Sequence, residues 1–107
     1  MPARSDPPRH ELGEIDAAAP VAARAADDAL AIAREMESER WVRYLERLPE
    51  RLRDEPLQDV RAAARVARAA FGPKDSIRDA LPELVTEPLL KAVDRLQKAI
   101  ARFDAHR

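Results

Sequence analysis

The chain is expected to be all-α, a small antiparallel three- or four-helix bundle with a long kinked first helix and a disordered N-terminal arm. Three observations carry that expectation. Alanine, the strongest helix former, supplies 22 of 107 residues. Only two glycines occur, Gly13 and Gly72, and the few β-branched residues do not alternate with polar ones, so strands have little support. Apolar side chains instead recur at steps of three and four. One seam is Leu57, Val60, Ala64, Ala67 and Phe71, and another is Leu89, Val93, Leu96, Ile100 and Phe103. Each covers only about two heptads, short of the three or four that argue a free coiled coil, so the expected use is packing inside a bundle.

Residues 1–15 read as a disordered arm ahead of one helical domain over 16–107. Pro2, Pro7 and Pro8 oppose helix there, and only Leu12 and Ile15 could join a core. Asp16 is the expected cap of the first helix, with Pro20 tolerated in its first turn. That helix should run over 20–48. Its face is small at first (Ala22, Ala26, Ala29, Leu30, Ala33), and the charged "ESER" at 37–40 interrupts it. Trp41, Tyr44, Leu45 and Leu48 then restore the spacing. Pro49 should end or kink the helix, with "PERLRD" adding a turn or two that has Pro49 at its first position.

A second helix is expected over 55–71, capped by Asp54 and carrying Pro56 in its first turn. Gly72 followed by Pro73 reads as a stop, a left-handed residue and then one that cannot continue. Ser76 with Asp79 resembles a capping box for a short helix holding Ile77, Leu81, Leu84 and Val85, bent by Pro82. Thr86 should cap the last helix, over 87–103, with Pro88 early in it.

Bulk is scarce. Leu, Ile, Val and Phe make only 23 of the 107 residues, and a buried CH2 is worth about 0.8 kcal/mol, so alanine adds little. A thin core of slender helices follows, of the kind often completed by another copy or another protein. Net charge is −1, but it is polarised. Residues 1–39 hold four basic and nine acidic side chains, whereas residues 40–53 hold five arginines and two glutamates.

The basic side chains form rows. Arg61, Arg65 and Arg68 fall within about 60° of one another on a helical wheel, centred roughly 90° from the Leu57–Phe71 seam. Lys91, Arg95, Lys98 and Arg102 repeat the arrangement on the last helix, and Arg40, Arg43, Arg47 and Arg51 on the first. Two readings compete. The rows are solvated flanks pairing with acids of neighbouring helices, or they form a face that recognises phosphate or an acidic protein. Trp41 and Tyr44 sit among Arg40, Arg43 and Arg47, a combination enriched at interfaces, although Trp41 could equally be the largest core residue.

No catalytic residues, metal ligands or cofactor are expected. The chain has no cysteine and no Glu-x-x-His motif, and His10 and His106 lie near its two ends. A small helical enzyme would need a deep pocket with convergent polar groups. The expected function is non-enzymatic: a small interaction or adaptor protein that self-associates or binds another helical protein. Trp41, Tyr44, Arg61, Arg65, Arg68, Lys91, Arg95, Lys98 and Arg102 would carry it. The alternative is a nucleic-acid-associated regulator contacting phosphates through the Arg/Lys rows, against which stands a pI near 6.1. No apolar run approaches the roughly 18–20 residues that span a bilayer, and no signal peptide is evident, so the expectation is a cytoplasmic protein with no membrane partner.

Overall fold

A computed structural model describes residues 9–54 and 57–105, and every regular element among them is helical. They are α1 (Arg9–Glu35), α2 (Glu39–Leu45), α3 (Leu48–Asp54), α4 (Leu57–Ala69), α5 (Ile77–Ala80) and α6 (Glu83–Ala105).

The first helix starts earlier than the sequence suggests. α1 begins at Arg9, inside the stretch read as an arm, and residues 1–8 of that arm lie outside the described residues. Nothing between Pro8 and Pro20 except Gly13 opposes helix, and Gly costs only about 1 kcal/mol. Asp16 is therefore not a cap, and Pro20 lies inside α1 rather than in a first turn. Pro20 denies the Asp16 carbonyl its usual donor, but both residues are exposed, where water can serve instead. Burial of the alanines just before and just after Pro20, Ala18 and Ala19 and then Ala22 and Ala23, holds the helix together through this point.

The expected single helix over 20–48 is three helices. α1 ends where Glu37 adopts a left-handed conformation, φ 56°. The Ser38 N–H donates to the Ala33 carbonyl at 2.9 Å and the Glu37 N–H to the Arg34 carbonyl at 3.1 Å. This pair of bonds is the Schellman closure, with a glutamate where glycine is usual. The charged interruption at 37–40 is thus a complete break and not a kink. α2 follows, and α3 carries Pro49 in its first turn, where the missing N–H costs nothing.

The expected entry to α4 involves Glu55 and Pro56, which lie outside the described residues. The helix stops close to the expected place, by a different device. Phe71 and Gly72 donate to the Arg68 and Ala69 carbonyls at 3.1 and 3.2 Å, tightening the last turn. Gly72 does not take a positive φ; that role passes to Asp75, φ 52°. Ser76 caps α5 as expected, its hydroxyl accepting from the Arg78 N–H at 3.1 Å. Pro82 separates helices instead of bending one: Leu81 is extended (φ −116°, ψ 154°), and α6 begins at Glu83. Thr86, expected as a cap, is a buried residue within α6, and Pro88 is also interior. The carbonyl that Pro88 leaves without a donor belongs to Leu84, the most exposed large apolar residue described.

α1 packs most extensively on α6 and then on α3, while α4 joins α3 to α6. The principal extents are 55 × 24 × 18 Å. The two shorter dimensions fit about two helix diameters, and the longest exceeds the roughly 40 Å of a 27-residue helix. Close to half of the buried apolar side chains are alanine, which lets the helices approach closely around Leu45, Leu52, Ile77, Leu89 and Leu96. Both predicted seams point inward. Leu89, Val93, Leu96, Ile100 and Phe103 are buried, as are Val60, Ala64 and Ala67, with Leu57 and Phe71 half-buried. The seams are thus spent within one molecule, and among the described residues the large apolar side chains left exposed are Val21, Met36, Val66 and Leu84.

Candidate interaction surface

The aromatic–arginine cluster is consumed internally. Trp41 is only 3% exposed, so it is a core residue. In a chain short of bulk, its large ring is needed to fill the interior. The Arg40 guanidinium covers its ring at 4.9 Å, and the Tyr44 ring lies 5.1 Å away, tilted by 53°. Tyr44 is half-buried, and its hydroxyl donates to the Val66 carbonyl at 2.7 Å, tying α2 to α4. Burial raises the Tyr44 phenol above its ordinary value, against a smaller lowering effect of the Arg40 charge.

The basic rows divide into two groups. In the first, each cation bridges to a different helix. Arg61 and Arg68 of α4 reach Asp104 and Asp94 of α6. Arg102 near the end of α6 meets Glu14 near the start of α1 at 3.0 Å. Arg53 meets Asp27 at 2.8 Å, and Arg78 meets Glu87 at 3.5 Å. These pairs are the solvated flanks of the first reading. Being largely exposed, each contributes only about 0.2–1 kcal/mol, so they set register more than stability. Arg61 is the most covered of the five, and its Nε is buried with no hydrogen-bond partner among the described residues. A groove of about 140 Å³ beside it, lined by Arg65, Gln97 and Asp104, has room for a water to reach it.

The second group has no ion pair among the described residues: Lys91, Arg95 and Lys98 on α6, Arg65 on α4, and the row Arg40, Arg43, Arg47 and Arg51, of which Arg40 covers the Trp41 ring. The three α6 cations are exposed, at i, i+4 and i+7, on the same face as the exposed Leu84 and Pro88. The acids beside them, Glu87 and Asp94, are engaged by Arg78 and Arg68. On α1, Asp28 and Glu35 are likewise exposed and lack an ion pair among the described residues. Sequence reasoning treated all the acids of the first helix as one supply for the basic rows. The structure spends Glu14 and Asp27 and leaves Asp16, Asp28 and Glu35 without an ion pair among the described residues. A signal existed in the seven-residue spacing of Val21, Asp28 and Glu35, which matches that of Leu84, Lys91 and Lys98.

Among the described residues no group of three or more His, Cys, Asp or Glu is placed to hold a metal, and no helix is long and apolar enough to cross a membrane. Comparison with protein-family models, with curated proteins and with solved structures finds no match for this chain.

Proposed function

We propose that this is a non-enzymatic helical interaction protein, an antiparallel bundle that works by laying an outer helix face against another helix. The carrying observation is the unspent cation row Lys91, Arg95 and Lys98 on the exposed face of α6 that starts at Leu84. Arg61, Arg68 and Arg102 of the rows have acids to meet at home; these three have none among the described residues and stand together in line with an exposed apolar side chain. An exposed apolar residue in line with uncompensated charges suits a partner that supplies both a greasy contact and carboxylates. The charges would select the partner and its register, with apolar contact adding affinity. Tyr44 and Arg65 lie at the α2–α4 side and would contribute there, while Trp41 supports them from beneath and does not touch the partner.

Phosphate contact by the same row is the weaker reading. Three cations imply a salt slope of roughly −0.9 × 3, shallow for a nucleic-acid protein. Light scattering over a concentration series at low and moderate salt, with and without a short duplex, tests the proposal. Mass that rises with protein concentration supports helix packing. Complexes that form only with the duplex replace this reading with the nucleic-acid one.

A further inference from the structure

We propose that the groove between α4 and α6 beside Arg65 binds a carboxylate, whose charge completes the row of ion pairs joining the two helices. The site is separate from the outer face of α6 and stands whether or not that face meets a partner.

As α4 ascends from Arg61 to Arg68, its partners on α6 descend from Asp104 to Asp94. Arg65 lies four residues after Arg61 and three before Arg68, so it is the middle cation of three on one side of the helix. Between Asp94 and Asp104, α6 carries no acid. The side chain that shares the groove with Arg65 there is Gln97. Three cations thus meet two acids. The two outer rungs are filled, and the middle rung offers a neutral amide. Arg65 is exposed and has no ion pair among the described residues.

A groove of about 140 Å³ occupies that gap, lined by Arg61, Arg65, Gln97 and Asp104 together with Ala64, Ile100 and Ala101. It exceeds the roughly 30 Å³ share of one water, so it has room for more than a single solvent molecule. Charge selects the occupant. Two guanidinium groups against the one Asp104 carboxylate leave a single positive charge, which a monoanion balances. A phosphate dianion would set a second excess negative charge beside Asp104. The Arg65 guanidinium presents parallel N–H donors that match the two oxygens of a carboxylate, and the Gln97 amide can add another donor. The Arg61 Nε, buried without a partner among the described residues, belongs to the same lining. Ala64 and Ile100 are buried and Ala101 is small, so an aliphatic stem can lie along an apolar floor. The ligand class is therefore an aliphatic monocarboxylate, as a free small acid or as the glutamate side chain of another protein.

Amide chemical shifts of the full chain, titrated at fixed ionic strength, test the site. Sodium butyrate is the free-acid probe. N-acetyl-glutamate α-amide offers the same group as a glutamate side chain between blocked peptide groups. Shifts should saturate around Ala64, Arg65, Gln97 and Ala101. Saturation by butyrate alone assigns the groove to a free acid, and saturation by the blocked glutamate alone assigns it to a protein side chain. Arg65→Gln should weaken binding about tenfold or more, through loss of a charge-assisted contact. Gln97→Glu fills the middle rung from within, so binding should vanish while the thermal melt holds or rises. Lys91→Gln, on the outer face of α6, should leave binding unchanged. Shifts that never saturate, or that spread evenly over every exposed cation, overturn the site. Binding that survives Gln97→Glu overturns it too, and inorganic phosphate saturating where butyrate does not overturns the carboxylate class.

Discussion

Glu37→Gly should stabilise the protein, and the sign of the effect decides whether α1 and α2 are separate helices. Glu37 sits at φ 56°, closing α1 through the Ser38-to-Ala33 and Glu37-to-Arg34 bonds. An L-residue in this conformation carries a penalty of about 1–2 kcal/mol, which glycine escapes. Glycine in turn loses about 0.5–1 kcal/mol more chain entropy on folding. The net gain is about 0.5–1 kcal/mol, a rise in Tm of about 2–5 °C for a domain of this size. If instead one helix ran unbroken through residue 37, glycine would cost about 1 kcal/mol, and Glu37→Ala would be neutral or slightly favourable. Urea and thermal melts of the wild type, Glu37→Gly and Glu37→Ala by circular dichroism separate the cases. A glycine variant less stable than the alanine variant would refute the left-handed break.

Four further outcomes follow from the packing. Trp41→Ala should cost about 3–5 kcal/mol as a core truncation, seen as a large drop in the urea midpoint; an unchanged midpoint would return Trp41 to the surface. Tyr44→Phe should cost about 0.5–1.5 kcal/mol by leaving the Val66 carbonyl without its donor. The Tyr44 phenol should titrate above the ordinary tyrosine value in a near-ultraviolet pH titration. Because its folded pKa is raised, its contribution to stability is complete below the unfolded value of about 10 and is lost as pH rises through the folded value. Ser76→Ala should cost about 1 kcal/mol by removing the α5 cap, measured by thermal melt.

The helical class was legible from composition, and both seams were legible from spacing, because inward-facing apolar residues must recur at the helix period. Ser76 was legible because capping chemistry is local. The first helix was misjudged at both ends for one reason: its continuity is decided by packing. Pro20 reads as a boundary, yet the burial of alanines before and after it carries the helix through. Glu37 reads as an ordinary charged helix residue, yet it takes a conformation usually left to glycine. At the other end of the chain, Gly72 reads as left-handed, and Asp75 takes that part. The rows were legible as rows. Which of their members meet an acid depends on helix neighbours, which is why Arg61, Arg68 and Arg102 could not be told in advance from Lys91, Arg95 and Lys98.

Amide chemical shifts across a concentration series test most directly where the molecule meets its partner. As the full chain is concentrated at low salt, perturbations should gather on the outer face of α6, around Leu84, Lys91, Arg95 and Lys98. Perturbations centred instead on the α4 face at Ala62, Val66 and Ala69, or none at all, would contradict the account.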